Sequence, residues 1–298
     1  MYHKHYNMKL YQKLLVFLSL ICNFGCAEST FARQSKFKHV LFAFVLAYSY
    51  LCRKGKVMRW RYMIITLLLC LSVVTLAGEQ PTSMQEWKAG SIVSLNEVEA
   101  YGIDNCFVAE EISDEVFERM QGKSYKKNCT IPRSQLRYLR LLHKNNKGQI
   151  LLGEMVCNVA IANDLVEIFR QLYEASYPIE RMVLIDDYNA DDETSMRANN
   201  TSCFNFRTIA GSKKLSHHAQ GTAVDINTLY NPYYKKRANG TVVVQPATGR
   251  RYVNRKGNFP YKIVRGDLCY RLFIQHGFTW GGAWRDRKDY QHFEKSIN

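Results

Sequence analysis

The chain has 298 residues, 47% hydrophobic, 22% charged and with only six prolines, the composition of a globular protein of one large or two small domains. Its net charge of +15 invites a nucleic-acid partner, but residues 1–78 hold +10 of it, with eleven Lys/Arg against one acid, Glu28. The remaining 220 residues carry only +5, which argues against a nucleic-acid-binding face and leaves a modest preference for anionic partners.

The N-terminal quarter contains three apolar runs: "LLVFLSLIC" from Leu14, "HVLFAFVLAYSYLC" from His39 and "YMIITLLLCLSVVTLAG" from Tyr62. Each falls short of the roughly 20 residues that span a bilayer. The third has the order of a secretory signal. Met58 opens the basic "MRWR", an apolar core follows, and Ala77 and Gly78 precede the polar "EQPTS". Residues 1–57 are therefore read as a leader or an over-extended reading frame, and 58–78 as a signal peptide. Two rivals are a start at Met1 or Met8 with a lipid-modified Cys26, and a set of membrane anchors. All three export the protein to the periplasm or cell envelope, with the membrane met only through the signal or anchor.

Five cysteines follow Gly78: Cys106, Cys129, Cys157, Cys203 and Cys269. None has C-x-x-C spacing, so a thiolate metal site is not expected. Cys106 and Cys129 are a candidate disulfide in an oxidising compartment.

Residues 79–130 read as an N-terminal extension packed on the main domain, with a helix at "SDEVFERMQ" started by Ser113 and Glu115. Residues 131–298 read as one α+β domain, a small antiparallel sheet with flanking helices. In chain order, "SQLRYLRLLH" from Ser134 predicts a short amphipathic helix, and "GQILLGEMVCN" a strand pair or hairpin. "ANDLVEIFRQLYEASY" predicts the strongest helix, with Leu165, Ile168, Phe169 and Leu172 on one face and Asn163 as its cap. "RMVLID" predicts a buried strand. The acids of "DDYNADDETSMRANN" do not fit a calcium loop and read as solvated. "FNFR" and "TAVDIN" alternate like strands, which would project Arg207 and Asp225 into one cleft.

The chemistry concentrates in two stretches. In "SHHAQGTAVDIN", His218 and Asp225 are seven apart around a turn glycine, Gly221. Asp225 stands between Val224 and Ile226, where an unpaired charge is costly. In "WGGAWRDRKDYQHFE", Asp289 precedes His292 by three. Taken alone, the spacing of His218 and Asp225 is a weak signal that equally fits a loop histidine and an aspartate accepting backbone hydrogen bonds. A catalytic metal site needs three protein ligands, an open position and a nearby base, which Asp289 and His292 would complete.

"SHHAQGTAVD" resembles the S-x-H-x-x-G-x-A-x-D motif of the zinc D-alanyl-D-alanine carboxypeptidases and L-alanyl-D-glutamate endopeptidases, and "DYQHF" resembles their closing motif. These are bacterial and phage peptidoglycan peptidases that share a core with the Hedgehog signalling domain. The resemblance spans roughly residues 150–298 and includes "YPI", "NNTSCFNFR", "DINTLYNPY" and "GFTWGGAW". It implies Zn2+ held by His218, Asp225 and His292, with His217 at the rim. It also implies Asp289 as general base, Arg207 as the cation that neutralises developing negative charge, and Ser216 hydrogen-bonding within the site. Trp280 and Trp284 would either wall the substrate cleft or pack in the core.

Many carboxypeptidase members have glutamate in E-x-W-H, whereas Asp289 in D-x-x-H resembles the endopeptidase branch, so the resemblance leaves the bond open. The implied function is zinc-dependent hydrolysis of peptidoglycan stem peptides. The alternative is a non-catalytic, zinc-stabilised cell-wall or protein-binding module. The oligomeric state is not legible.

Overall fold

Two nine-residue segments, Leu136–Lys144 and Ile150–Asn158, pair antiparallel and form the centre of the main sheet. The computed structural model describes residues 83–209 and 212–297, so the leader 1–57 and the signal segment 58–78 lie outside the described residues. In chain order the elements are α1 (Ser83–Glu86), β1 (Ile92–Val93), α2 (Leu95–Tyr101), β2 (Val108–Glu110), α3 (Asp114–Met120), β3 (Leu136–Lys144), β4 (Ile150–Asn158), α4 (Val159–Glu174) and α5 (Asp192–Arg197). They continue with β5 (Ala223–Asp225), β6 (Tyr233–Lys236), β7 (Val242–Gln245), α6 (Leu268–Gln275), β8 (Thr279–Trp280), β9 (Lys288–Asp289) and β10 (His292–Glu294). The class is α+β. Instead of one small sheet, the described residues form three, ordered β1-β4-β3-β2, β5-β10-β8 and β7-β6-β9. All the strand pairs are antiparallel.

The helix expected over "SQLRYLRLLH" is the strand β3. Both of its faces are covered: Leu136 and Tyr138 join one hydrophobic cluster with Val156 and Phe204, while Leu139 and Leu141 join another with Leu165 and Phe169. A doubly buried strand loses its period-2 alternation and reads as a continuous apolar run, which mimics a helix in sequence. β4 then passes into α4 with no intervening loop. The cap is therefore Asn158, whose side chain accepts from Ala160 N (3.0 Å), and Asn163 lies inside the helix. The apolar face of α4 is the expected one, with Leu165, Ile168, Phe169 and Leu172 all buried.

In "RMVLID", Arg181 is exposed and the other five residues are buried, but the stretch forms no strand. Its backbone pairs with side chains, since Asn200 takes Val183 N (3.0 Å) and donates to Val183 O (2.9 Å). "FNFR" is likewise irregular. The acids expected in solvent have structural partners: Asp186 is buried on Ser124, Asp191 caps α5, and Asp192 pairs with Arg207. Cys106 and Cys129 are free thiols, with Cys106 Sγ–H directed to Gly102 O, so the candidate disulfide is not formed.

Gln80–Asn298 forms one compact unit. The 79–130 segment supplies both outer strands of the main sheet, β1 on β4 and β2 on β3. It is tied to the centre by Arg119 of α3, which reaches Glu154 of β4 through two hydrogen bonds (2.6 and 2.9 Å). Glu154 is 1% exposed and also accepts from Tyr138 (2.8 Å). Removing one partner of a buried pair leaves a charge with little solvent. Arg119→Ala should therefore lower unfolding stability by roughly 3 kcal/mol in urea titration, a far larger loss than for an exposed ion pair.

Candidate metal centre

β5 and β10 are paired so that Asp225 lies opposite His292 and Val224 opposite Phe293. Side chains alternate across a strand, so burying Val224 and Phe293 in the core turns Asp225 and His292 together to the other face. His218 comes from a 3-10 turn, His218–Gln220, that ends at Gly221 with φ 70°. A Cβ at Gly221 would lie 2.8 Å from Asn158 N, so both the dihedral and the close approach call for glycine. The turn returns Asp225 toward His218, and the two stretches meet.

His218 Nε2 is 3.3 Å from Asp225 Oδ2, His292 Nδ1 is 3.0 Å from Asp225 Oδ1, and the two nitrogens are 3.2 Å apart. The outward nitrogens are already committed. His218 Nδ1–H donates to Cys203 O (2.7 Å), and His292 Nε2–H donates to Glu294 Oε2 (2.9 Å). Each ring therefore presents the lone pair of its other nitrogen inward. One ligand atom from each of the three residues lies within 4.8 Å of the others. Two lone pairs and a carboxylate facing one point repel unless a cation or a proton stands between them. Two imidazoles and one carboxylate are a donor set that fits a transition metal and leaves positions open.

Without a metal, a proton takes that place. Burial pulls the His292 imidazole down, but its hydrogen bonds to Asp225 and Glu294 outweigh this and hold it up to about 10. Burial also opposes ionisation of Asp225, yet the two imidazoles hold its carboxyl well below the usual range.

The cluster sits in a cleft of about 700 Å³ that Arg207, Ser216, Trp284 and Asp289 also line. Asp289 lies on β9, opposite Tyr233 of β6. Its Oδ1 is buried without a hydrogen-bond partner, and burial pushes the carboxyl up to about 7 against the pull of the imidazoles. Gly281 makes this packing possible, since a Cβ there would lie 2.8 Å from Asp289 Cβ and 3.3 Å from His292 Cβ. Arg207 enters from irregular chain and ion-pairs with Asp192 at the start of α5. Ser216 is buried, and its backbone N–H and its hydroxyl both donate to Arg207 O (3.1 Å each), so it holds Arg207 in place.

The two tryptophans separate. Trp284 lines the cleft with its ring 5.4 Å from that of His292. Trp280 belongs to the core instead, stacked on Phe293 with its Nε1–H donating to Tyr290 O (3.0 Å). His217 lies at the cleft edge, 3.8 Å from Glu294. Glu294 was not singled out from sequence, although a strand at "HFE" puts positions 292 and 294 on one face. Asp192 and the Cys203 carbonyl carried no comparable signal.

Residues 210–295 match a family model described as D-alanyl-D-alanine carboxypeptidase. This supports the resemblance over a narrower span than the motifs suggested. The span contains His218, Asp225, Asp289 and His292, while Arg207 lies just before it. No curated protein and no solved structure matches the chain.

Two measurements test the centre. Glu294→Gln should weaken divalent-metal affinity by about 10–100-fold in chelator competition, because Glu294 fixes the ring that presents His292 Nδ1. A metal must also displace the His292 proton, which is present below a raised pKa of about 10. Affinity should therefore rise by about tenfold per pH unit between pH 6 and 8, as expected for release of one proton.

Proposed function

We propose that this chain is an exported zinc-dependent peptidase that cleaves peptide bonds in peptidoglycan stem peptides. We take its C-terminal part as a variant of the Hedgehog-type zinc fold, a reading supported by the family match over residues 210–295. The observation that carries the proposal is the meeting, in one cleft, of a His-Asp-His cluster and a buried carboxylate oxygen with no protein partner. A module that used the cation only for stability would not need that oxygen.

His218, Asp225 and His292 would hold the zinc, which when bound supplies Lewis acidity to water and to the scissile carbonyl. The chain's own groups do the rest. Asp289 Oδ1 accepts the proton of the attacking water and returns it to the leaving amine, and a carboxyl near 7 suits both transfers. Arg207, oriented by Asp192 and Ser216, directs its guanidinium toward the oxygen on which negative charge develops. Trp284 packs beside His292 and limits water on that side of the cleft.

The test is mass spectrometry of defined muropeptides incubated with the protein, with and without chelator. Loss of a terminal D-Ala identifies carboxypeptidase action, and fragments released between L-Ala and D-Glu identify endopeptidase action. Asp289→Asn should keep one metal per chain while kcat falls by roughly 10²–10⁴-fold. His218→Ala should lose both metal and activity. An Asp289→Asn enzyme of undiminished rate would exclude the assigned base, and intact muropeptides with a metal-loaded wild type would leave the binding-module alternative.

A further inference from the structure

The basicity of the described domain is concentrated in one part of the chain. Residues 229–289 hold thirteen Lys/Arg against three acids, Asp267, Asp286 and Asp289, although residues 79–298 as a whole carry only +5. This stretch includes the β7-β6-β9 sheet, and one face of that sheet forms a wall of the cleft. The strand registers agree with that placement. Tyr233 stands opposite both Gln245 and Asp289, and Lys235 opposite Val243, and all five residues line the cleft. Continuing the β6–β9 register puts Arg287 opposite Lys235.

Along β6 and at the first residue beyond it the cleft-facing positions are therefore Tyr233, Lys235 and Arg237, two residues apart. A strand rises about 3.3 Å per residue, so the two cations lie about 7 and 13 Å outward from the Asp289 end. Lys235 and Arg237 take part in no ion pair among the described residues, whereas Arg207 is paired with Asp192 and Arg287 with Asp286. Arg287 also lies 4.4 Å over the Trp284 ring, which links the outer wall to the metal cluster. The cleft is thus polarised, with carboxylates and imidazoles at the Asp289 end and Lys235 and Arg237 beyond it, where Asp286 is ion-paired with Arg287 and also feels the charge of Lys235.

We propose that β6 forms a subsite for an extended peptide that carries free carboxylates on alternate residues, laid along the strand with the bond to be cut at the Asp289 end. Alternate side chains of an extended peptide are also about 7 Å apart, so one spacing serves both partners. β6 has neighbours on both edges, so the peptide binds across the sheet face by its side chains and adds no strand. The occupant follows from the peptidase reading: among stem peptides, the site favours those with free carboxylates over their amidated forms.

Binding without catalysis is measured by calorimetry of the full chain with a hexapeptide carrying glutamate at its second and fourth positions, against the same peptide with glutamine. The wild type should prefer the glutamate peptide by about tenfold at low salt, from two partly exposed charge pairs. That preference should fade at 0.5 M salt. Lys235→Gln with Arg237→Gln should abolish it, and Lys235→Arg should retain it, all with melting temperatures close to wild type. Equal binding of the two peptides, an undiminished preference in the double variant, or equally tight binding of a DNA duplex would overturn the subsite.

A second arm compares kcat/KM for free-carboxylate and amidated muropeptides. The preference should appear in KM and collapse in the double variant. Cleavage that is indifferent to the carboxylates would remove the subsite and leave the peptidase reading intact. Peptide discrimination without cleavage of any muropeptide would remove the peptidase reading and leave the subsite.

Discussion

Val224 and Phe293 are completely buried, and their burial sets the position of the His-Asp-His cluster. Phe293 stacks on Phe273 (4.4 Å), which meets Phe169 of α4 edge-on, so the longest of the described helices fixes the strand that carries His292. Burying a phenylalanine contributes about 1.5–3 kcal/mol. A one-residue slip of β10 would lose that contribution and turn His292 into an apolar core with no partner. The register that satisfies the hydrophobic effect is thus the one that places an imidazole opposite a carboxylate. Hydrogen bonds from the rings to the Cys203 carbonyl and the Glu294 carboxylate then decide which nitrogen of each ring faces inward.

Much of the chain around the centre has no regular structure, and buried amides take over the role of strand ladders. Asn199, Asn200, Asn227 and Asn231 are all essentially inaccessible. Asn231 alone donates to Asn227 O and Tyr261 O and accepts from Ile263 N and Arg255. Buried backbone must find partners, and side-chain amides supply both donor and acceptor where a loop cannot. "NNTSCFNFR" and "DINTLYNPY" are accordingly largely scaffolding: they hold Arg207 and Asp225 in position, and the Cys203 carbonyl orients His218.

Charge is handled in the same way. Glu154 joins α3 to the main sheet, Asp192 holds Arg207, and Glu294 holds His292. Asp289 is the exception, with a buried oxygen that has no partner in the protein. One unsatisfied carboxylate among the satisfied ones of the described residues is an unusual cost, and it supports Asp289 as the proposed base.

The sequence alone determined the α+β class and the apolar face of α4, which follow from short-range periodicity. Its resemblance to a motif family named the residues that form the cluster, since the spacing around Gly221 by itself is a weak signal and His292 lies far along the chain. It misread β3 as a helix because a strand buried on both faces has no alternation to display. It placed the cap of α4 five residues late because the strand runs into the helix without a break. Only the tertiary structure decided that Trp280 packs in the core while Trp284 lines the cleft, that Cys106 and Cys129 stay apart as free thiols, and that Glu294, Asp192 and Lys235 border the site. Those assignments depend on which faces of distant segments meet, and that is fixed by packing between strands and helices that local sequence does not record.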